Sequence, residues 1–396
     1  MPQRCNRPSV VDRLSIPRTF PALVRRSGSA LSRVQYSCYV SVMTARRHHF
    51  ISQCYLNRFA VLRKAGKFQT RVFDRVTGKS FPTAIENIGL ERDFNRIEVE
   101  GHPPDAFEAG IAAYESELAP ALERTVSSCG FADDRDKNLI FNLIASLALR
   151  NPRWRESIRQ FHEETAKTVL GVTLASKERW TQQQKKAVEE GSTPPDGDVT
   201  YEELKQFHEE GNYRIELDTG YHLQMEMKGV DAILPLLARR GWAFCRAPKD
   251  SGGFVTSDHP VSLIWAKGQN PGQFYSPGFG LPDTEIVFPL SPRIALLGAF
   301  EIADSVHEIN EAMVAGVNAC TINFATRQVY ARDLNFHYQF PDGQPVKKAS
   351  RLIDDSRFLR GQDTAADKPV VRRGKRASHT DPRHAQGPRK TPGQGA

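Results

Sequence analysis

The chain has 396 residues, of which 39% are hydrophobic and 25% are charged, and these fractions are ordinary for a soluble globular protein. Its longest apolar runs, such as residues 143–149, are far shorter than the roughly 20 residues that cross a bilayer. We therefore expect no transmembrane helix and no membrane partner.

The net charge of +8 is concentrated at the two ends of the chain. Residues 1–42 have a net charge of +6 and residues 362–396 of +5, which leaves −3 for residues 43–361. Neither end has a hydrophobic pattern that could support a core. We expect a disordered or misassigned extension over 1–42, with Met43 as an alternative start, one domain over 43–361 and a disordered basic tail over 362–396. The acidic body does not support a nucleic-acid partner, although this alternative stays open.

Six cysteines occur at positions 5, 38, 54, 129, 245 and 320, and no two of them form a CxxC pair. Scattered single cysteines are typical of buried, reduced thiols. This pattern predicts a cytoplasmic protein without a cysteine-based zinc site.

The hydrophobic spacing predicts helices and strands in distinct blocks along the chain. Asp133 and Asp134 cap a strong helix that Asn151-Pro152 interrupts, and 191–197 is a predicted loop. Further helices are predicted over 105–127, 153–170, 176–190, 200–210, 221–240 and 305–319, and strands over 68–73, 79–85, 242–247, 254–257, 261–265, 285–289, 293–298 and 326–331. This order predicts an α+β fold, with a central helical section packed against short, mainly antiparallel strands.

The segment from His48 to Phe59 is the most informative part of the sequence. Ser52 is a plausible N-cap of a helix that runs from Gln53 into Phe59. Gln53 shares a face with Leu56 and Phe59, so its amide needs hydrogen-bond partners, and His49 precedes the helix. These polar side chains are either satisfied parts of the core or components of a site.

This segment also resembles the opening motif of the bacterial domain-of-unknown-function family 4238, which reads His-aromatic-aliphatic-Pro-Gln-x-Tyr-Leu-x-x-Phe. The match covers His49–Phe59, with Ser52 in place of the proline. Both residues can begin a helix. The resemblance also favours Met43 as the start, because the motif usually lies close to the initiator Met.

Further short matches extend the resemblance over residues 47–332. They are Glu115 with Ala119-Pro120, Arg150-Asn151-Pro152, the run Thr256-Ser257-Asp258-His259-Pro260-Val261, the run Pro289-Leu290-Ser291-Pro292, and Asn318 with Ala325 and Val329-Tyr330. Asn151 and His259 depart from the family pattern, which has Ser or Thr and Asn there. The family has no assigned activity, so the resemblance implies a shared fold and site but no reaction.

Three of the matched residues also stand out by their position. Glu115 lies on an apolar stripe with Ile111, Leu118 and Leu122, where a carboxylate is costly unless it is paired. Arg150 ends a buried helix and could be its counter-charge. Asp258 lies at the end of a short strand, where it either forms an Asx-type turn or presents its carboxylate to a ligand.

Two hypotheses follow for the five candidate residues His49, Gln53, Glu115, Arg150 and Asp258. In the first they form the site of a hydrolase. A divalent metal bound by His49, Glu115 and Asp258 could activate water, or His49 could act as general base while Arg150 holds a phosphate. In the second the protein is a non-enzymatic binding or sensor protein in a bacterial defence or stress setting, and these residues form a structural network. Whether the protein is an enzyme stays open.

Overall fold

The computed structural model describes residues 23–26, 47–63, 66–97, 103–190, 200–266, 269, 275–341 and 345–360. All of them belong to one compact unit, Met1–Gln362. The predicted tail over 362–396, the predicted loop over 191–197 and most of the predicted extension over 1–42 lie outside the described residues. Within that extension, Leu23–Arg26 form a strand.

The described helices agree with the predicted order, and the long ones lie between residues 106 and 238. They are α1 (Gln53–Leu56), α2 (Ala106–Ser128), α3 (Asp134–Leu149), α4 (Pro152–Thr173), α5 (Lys177–Glu189), α6 (Tyr201–Glu210), α7 (Thr219–Ala238), α8 (Glu311–Phe324) and α9 (Ser356–Arg360). A short 3-10 helix, Asn57–Phe59, continues α1. The predicted helix from Gln53 into Phe59 is therefore split between two helix types.

The strands are short, as expected for an α+β protein. They are β1 (Leu23–Arg26), β2 (Arg47–His49), β3 (Val61–Leu62), β4 (Phe68–Asp74), β5 (Lys79–Ala84), β6 (Leu90–Arg92), β7 (Tyr213–Glu216), β8 (Gly241–Arg246), β9 (Thr256–Ser257), β10 (Ser262–Trp265), β11 (Thr284–Pro289), β12 (Ile294–Ala299), β13 (Ser305–Glu308), β14 (Gln328–Ala331), β15 (His337–Tyr338) and β16 (Lys347–Lys348).

Two five-stranded sheets and three two-stranded sheets contain these strands. The first large sheet has the order β10-β11-β12-β8-β13, and the second has the order β3-β4-β14-β9 with β5 paired to β4. The small sheets are β1-β7, β2-β6 and β15-β16. Every pairing is antiparallel except that of β13 with β8, so the α+β prediction is confirmed.

The junction between α3 and α4 forms as the sequence predicts. The Asp133 carboxylate accepts from the Asp136 amide and caps α3. Arg150 ends α3, and Asn151 accepts from the Trp154 amide to cap α4, with Pro152 in its first turn. The chain turns sharply here, which leaves the Arg150 side chain at a helix end.

The largest hydrophobic core lies between the central helices and the first large sheet. Leu118 of α2 and Ile144 of α3 are fully buried in this core, together with Trp242 and Phe288 of the sheet. Tyr55 of α1 stacks on Phe288 with ring centroids 5.3 Å apart. The segment that begins at His49 is thereby fixed against the middle of the protein.

One predicted helix is present but begins six residues later than expected. The spacing predicts a helix over 305–319, but Ser305–Glu308 form β13, which pairs in parallel with β8. Asn310 then accepts from the Met313 amide and caps α8, which begins at Glu311. The strand forms because β8 offers an open edge, and that partner is distant in sequence.

Candidate polar site

His49 and Gln53 lie side by side where β2 leads into α1. His49 pairs with Leu90 across the β2-β6 ribbon, and both His49 and Gln53 are half-buried. The Gln53 Nε2 atom is 3.2 Å from Nδ1 and 3.4 Å from Nε2 of the His49 ring. An amide nitrogen almost equidistant from both ring nitrogens cannot lie along the lone pair of either one. The His49 ring therefore keeps hydrogen-bonding capacity for a ligand.

Glu115 reaches from α2 to the start of α1. The Ser52 hydroxyl and the Gln53 main-chain N–H lie close enough to its carboxylate to lower its pKa by hydrogen bonding. Ser52 occupies the N-cap position but makes no capping hydrogen bond of its own, so the prediction that its side chain caps α1 is wrong. A carboxylate from another helix takes that role instead. Burial raises the pKa of Glu115, and the bond from Ser52 and the charge of Arg150 oppose this rise.

Arg150 is almost enclosed but has few hydrogen bonds. Its side chain is 11% exposed, and its Nη2 atom donates to Asn95 Oδ1 over a long 3.4 Å. The buried Nε atom has no hydrogen-bond partner and lies 3.9 Å from Glu226 Oε2. The guanidinium also lies over the Phe107 ring, 5.4 Å from its centroid. A guanidinium has five N–H donors, and the bond to Asn95 is the one hydrogen bond that the Arg150 side chain donates to a residue the structure describes.

Asn95 joins the two sides of this site. It is fully buried, and its Nδ2 atom donates to Glu108 Oε1 at 2.6 Å. The same Nδ2 atom lies 3.5 Å from the carbonyl oxygen of His49, and the Asn95 main-chain N–H donates to His48 Nδ1 at 2.9 Å. Through its Oδ1 atom Asn95 also contacts Arg150. We refer to His49, Gln53, Asn95, Glu108, Glu115 and Arg150 as the polar cluster.

A buried ion pair lies behind the polar cluster. Arg155 donates through Nε and Nη2 to the two carboxylate oxygens of Glu226, at 2.5 Å and 3.1 Å. The Arg155 guanidinium also lies 3.4 Å from the centroid of the Phe94 ring. Glu226 is completely buried, so Arg150 and Arg155 share one fully buried carboxylate. Arg150 lies farther from this carboxylate than Arg155 does, at 3.9 Å against 2.5 Å, and the charges of Glu108 and Glu115 also act on it.

The four residues Asn95, Glu108, Arg155 and Glu226 were not among the predicted site residues. Only Glu226 has a signal in the sequence, because it lies on the apolar stripe of α7 with Leu223 and Ile233, as Glu115 does on α2. Asn95 lies in a turn without periodicity. Its position in space depends on the β2-β6 pairing, which local sequence does not reveal.

His49 is held in its neutral form. Burial lowers its pKa from the ordinary value of 6.5, and the positive charge of Arg47 acts in the same direction. The negative charge of Glu108 partly opposes this shift. A neutral imidazole can accept a proton at neutral pH.

Asp258 is not part of the polar cluster. Its carboxylate accepts from the amides of Thr326 and Arg327, both at 2.7 Å, and of Gln328 at 3.0 Å. These bonds hold the turn between α8 and β14. Burial raises the pKa of Asp258, while the three amide donors and the charge of Arg75 oppose this rise. The structure therefore brings four of the five predicted residues together and assigns Asp258 to a separate structural role.

The predicted metal candidates do not converge. Among the described residues, no group of three or more His, Cys, Asp or Glu side chains has an arrangement that could hold a metal ion. His49 and Glu115 belong to the polar cluster, but Asp258 is used by the α8-β14 turn. A cavity of about 390 Å³ lies elsewhere, lined by Cys129, Phe131, Lys137, Phe244 and Asp304 among others, and it shares no residue with the polar cluster.

None of the helices in the described ranges is both long enough and apolar enough to span a membrane.

Comparison with known proteins identifies the family. The model of the family described as "Protein of unknown function (DUF4238)" matches residues 47–335, which include the whole polar cluster. No curated protein and no solved structure matches the chain. The family match covers well over half of the sequence and agrees with the motif that begins at His49. The chain therefore belongs to the DUF4238 family.

Proposed function

We propose that the polar cluster is the active site of a hydrolase that acts on a phosphate-containing substrate. The observation that carries this proposal is Arg150, a buried guanidinium whose Nε atom has no hydrogen-bond partner. Leaving such a group unsatisfied costs free energy, and an anion would remove that cost. Phosphate oxygens match the fork of N–H donors on a guanidinium.

His49 is the proposed general base. In this mechanism the neutral imidazole takes a proton from a water molecule as the water oxygen bonds to phosphorus. The bond between phosphorus and the leaving oxygen breaks, and that oxygen takes a proton from solvent. Arg150 stabilises the negative charge on the phosphoryl oxygens, and the Gln53 side-chain amide lies against the His49 ring. Glu115 fixes the start of α1, which carries Gln53.

The alternative is a binding or sensor protein that uses the same anion site without chemistry. One observation favours it, namely that each carboxylate near Arg150 is already engaged. Asn95 binds Glu108, Ser52 binds Glu115 and Arg155 binds Glu226. In this alternative, phosphate binding orders the polar cluster and no bond is broken.

A comparison of two variants with one control tests the proposal. We expect the wild-type protein to hydrolyse members of a phosphoester panel, and His49→Ala and Arg150→Met to reduce turnover by at least about 100-fold, the scale of a lost general base or charge contact. Arg58→Met is the matched control, because Arg58 forms an exposed ion pair with Glu123 next to α1. Phosphate binding without turnover would favour the sensor alternative, and neither binding nor turnover would contradict both.

We also propose a cytoplasmic location and a single domain over residues 43–361, to which β1 adds a strand by pairing with β7. The described cysteines Cys54, Cys129, Cys245 and Cys320 are free thiols, which supports a reducing compartment. The hydrophobic contacts between the helical section and the first large sheet support one cooperative unit.

A further inference from the structure

We propose that Asn95 is a positioning residue that holds Arg150 ready for an anion without cancelling its charge. The identity of the ligand rests on the proposed function above. The role of Asn95 toward Arg150 rests on the hydrogen bonds and can be measured without a ligand.

The contacts of Asn95 fix the orientation of its side-chain amide. Its nitrogen faces two acceptors, Glu108 Oε1 at 2.6 Å and the His49 carbonyl oxygen at 3.5 Å. Its oxygen faces a donor, Arg150 Nη2 at 3.4 Å. The reverse orientation would place a donor against the guanidinium and an acceptor against the carboxylate, so only one orientation satisfies these neighbours.

The main chain of Asn95 is anchored independently of its side chain. Its N–H donates to His48 Nδ1 at 2.9 Å, and this bond survives any substitution at position 95 except proline. His48 and His49 are consecutive residues of β2, so the turn at Asn95 is tied to the strand that supplies the general base. A side-chain substitution therefore alters the contact with Arg150 and leaves the backbone connection intact.

An anion site at Arg150 requires an uncharged side chain at position 95. Glu108 lies on the far side of the amide, so it accepts from Asn95 and does not bind Arg150 directly. A carboxylate at position 95 would form an ion pair with Arg150 and compete with the substrate. The amide instead steadies Nη2 through one weak bond, and Nε has no hydrogen-bond partner, with Glu226 Oε2 at 3.9 Å.

The experiment compares Asn95→Asp and Asn95→Ala with the wild-type protein and with Asn142→Ala. Asn142→Ala is the matched control, because it makes the same change in α3 at a residue outside the polar cluster, whose side chain donates to Asn138 of the same helix. Calorimetry measures inorganic phosphate affinity, and 15N NMR measures hydrogen exchange at the Arg150 Nε–H. We expect both Asn95 variants to bind phosphate about tenfold more weakly (about 1.4 kcal/mol) and Asn142→Ala to stay within about threefold of the wild-type affinity. We also expect the Arg150 Nε–H to exchange about tenfold faster in Asn95→Ala.

The two readouts separate this inference from the proposed function. Wild-type affinity and unchanged Arg150 exchange in Asn95→Ala would overturn the role of Asn95 and leave the proposed function standing. If the wild-type protein does not bind phosphate, the proposed function fails. Exchange at Arg150 alone then decides the role of Asn95, since faster exchange in Asn95→Ala supports it and unchanged exchange overturns it. Asn95→Asp, which keeps the side-chain shape, covers the case in which Asn95→Ala does not fold.

Discussion

Removing the buried carboxylate of Glu226 should destabilise the protein more than any surface charge change. Glu226→Gln keeps the shape of the side chain and one acceptor oxygen, but it removes the charge that faces Arg155 at 2.5 Å and 3.1 Å. Arg155 and Arg150 would then be two guanidinium groups without a fully buried carboxylate. Their side chains are each only 11% exposed, so water cannot compensate for the loss.

The expected cost is about 3 kcal/mol of unfolding free energy. Breaking a buried ion pair by removing one partner costs roughly 3–5 kcal/mol, and the remaining amide oxygen places Glu226→Gln near the lower limit. This is a large part of the roughly 5–15 kcal/mol that stabilises a typical domain. The matched control is Glu123→Gln, which breaks the Arg58–Glu123 pair, whose Glu123 side chain is 64% exposed. That change should cost less than about 1 kcal/mol.

Urea unfolding, followed by circular dichroism, measures both free energies. We expect the urea midpoint of Glu226→Gln to fall and the m value to stay constant, because the unfolded chain exposes the same surface. The double variant Glu226→Gln/Arg155→Met should recover part of the loss, since it removes one unpaired charge. A cost for Glu226→Gln no larger than that of Glu123→Gln would refute the conclusion that Glu226 is the counter-charge of both arginines.

Other expected outcomes follow from single contacts. Burial lowers the pKa of His222 from its ordinary 6.5 to about 4, so protonation favours the unfolded chain. The unfolding free energy of the wild-type protein should therefore fall as the pH drops from about 6.5 to 4. Urea unfolding at pH 7 and pH 5 should show a smaller fall for His222→Gln. Arg240 is buried and has no carboxylate partner within the described ranges; it donates to the carbonyl oxygens of Thr284 and Phe279, so Arg240→Met should cost about 1–3 kcal/mol in the same assay. A Cβ atom at Gly252, whose φ is +73°, would lie 2.0 Å from the Asn335 carbonyl oxygen, so Gly252→Ala should lower the melting temperature by several degrees in calorimetry. The proposed single domain predicts one calorimetric transition for the full chain, and two would contradict it.

Sequence patterns that depend only on neighbouring residues were sufficient to predict most of the fold. The hairpin over β4 and β5, the helix that Asp133 caps and the interruption at Asn151-Pro152 depend on nearby residues, and all three are present. β13 was missed because its partner β8 lies about 60 residues earlier. The β2-β6 ribbon was missed for the same reason, because the tendency of a segment to form a strand depends on its partner strand.

The site was predictable where a polar residue interrupts an apolar stripe. Gln53 and Glu115 were found in this way, and Glu226 could have been found on α7 by the same argument. Asp258 was assigned to the site from its match to the family motif and from its position at a strand end. Whether such a carboxylate faces a ligand or main-chain amides depends on the turn at Thr326, which is distant in sequence.

The most direct test of the anion site is the Arg150 Nε–H signal during a titration with inorganic phosphate. The Nε atom of Arg150 is buried and has no hydrogen-bond partner, so a bound phosphate should shift its 15N and 1H resonances in a saturable way. We predict that this shift saturates together with the calorimetric heat and that the Arg58 signal does not change. An Arg150 signal that stays constant while phosphate binds elsewhere, or while no binding occurs, would contradict the account.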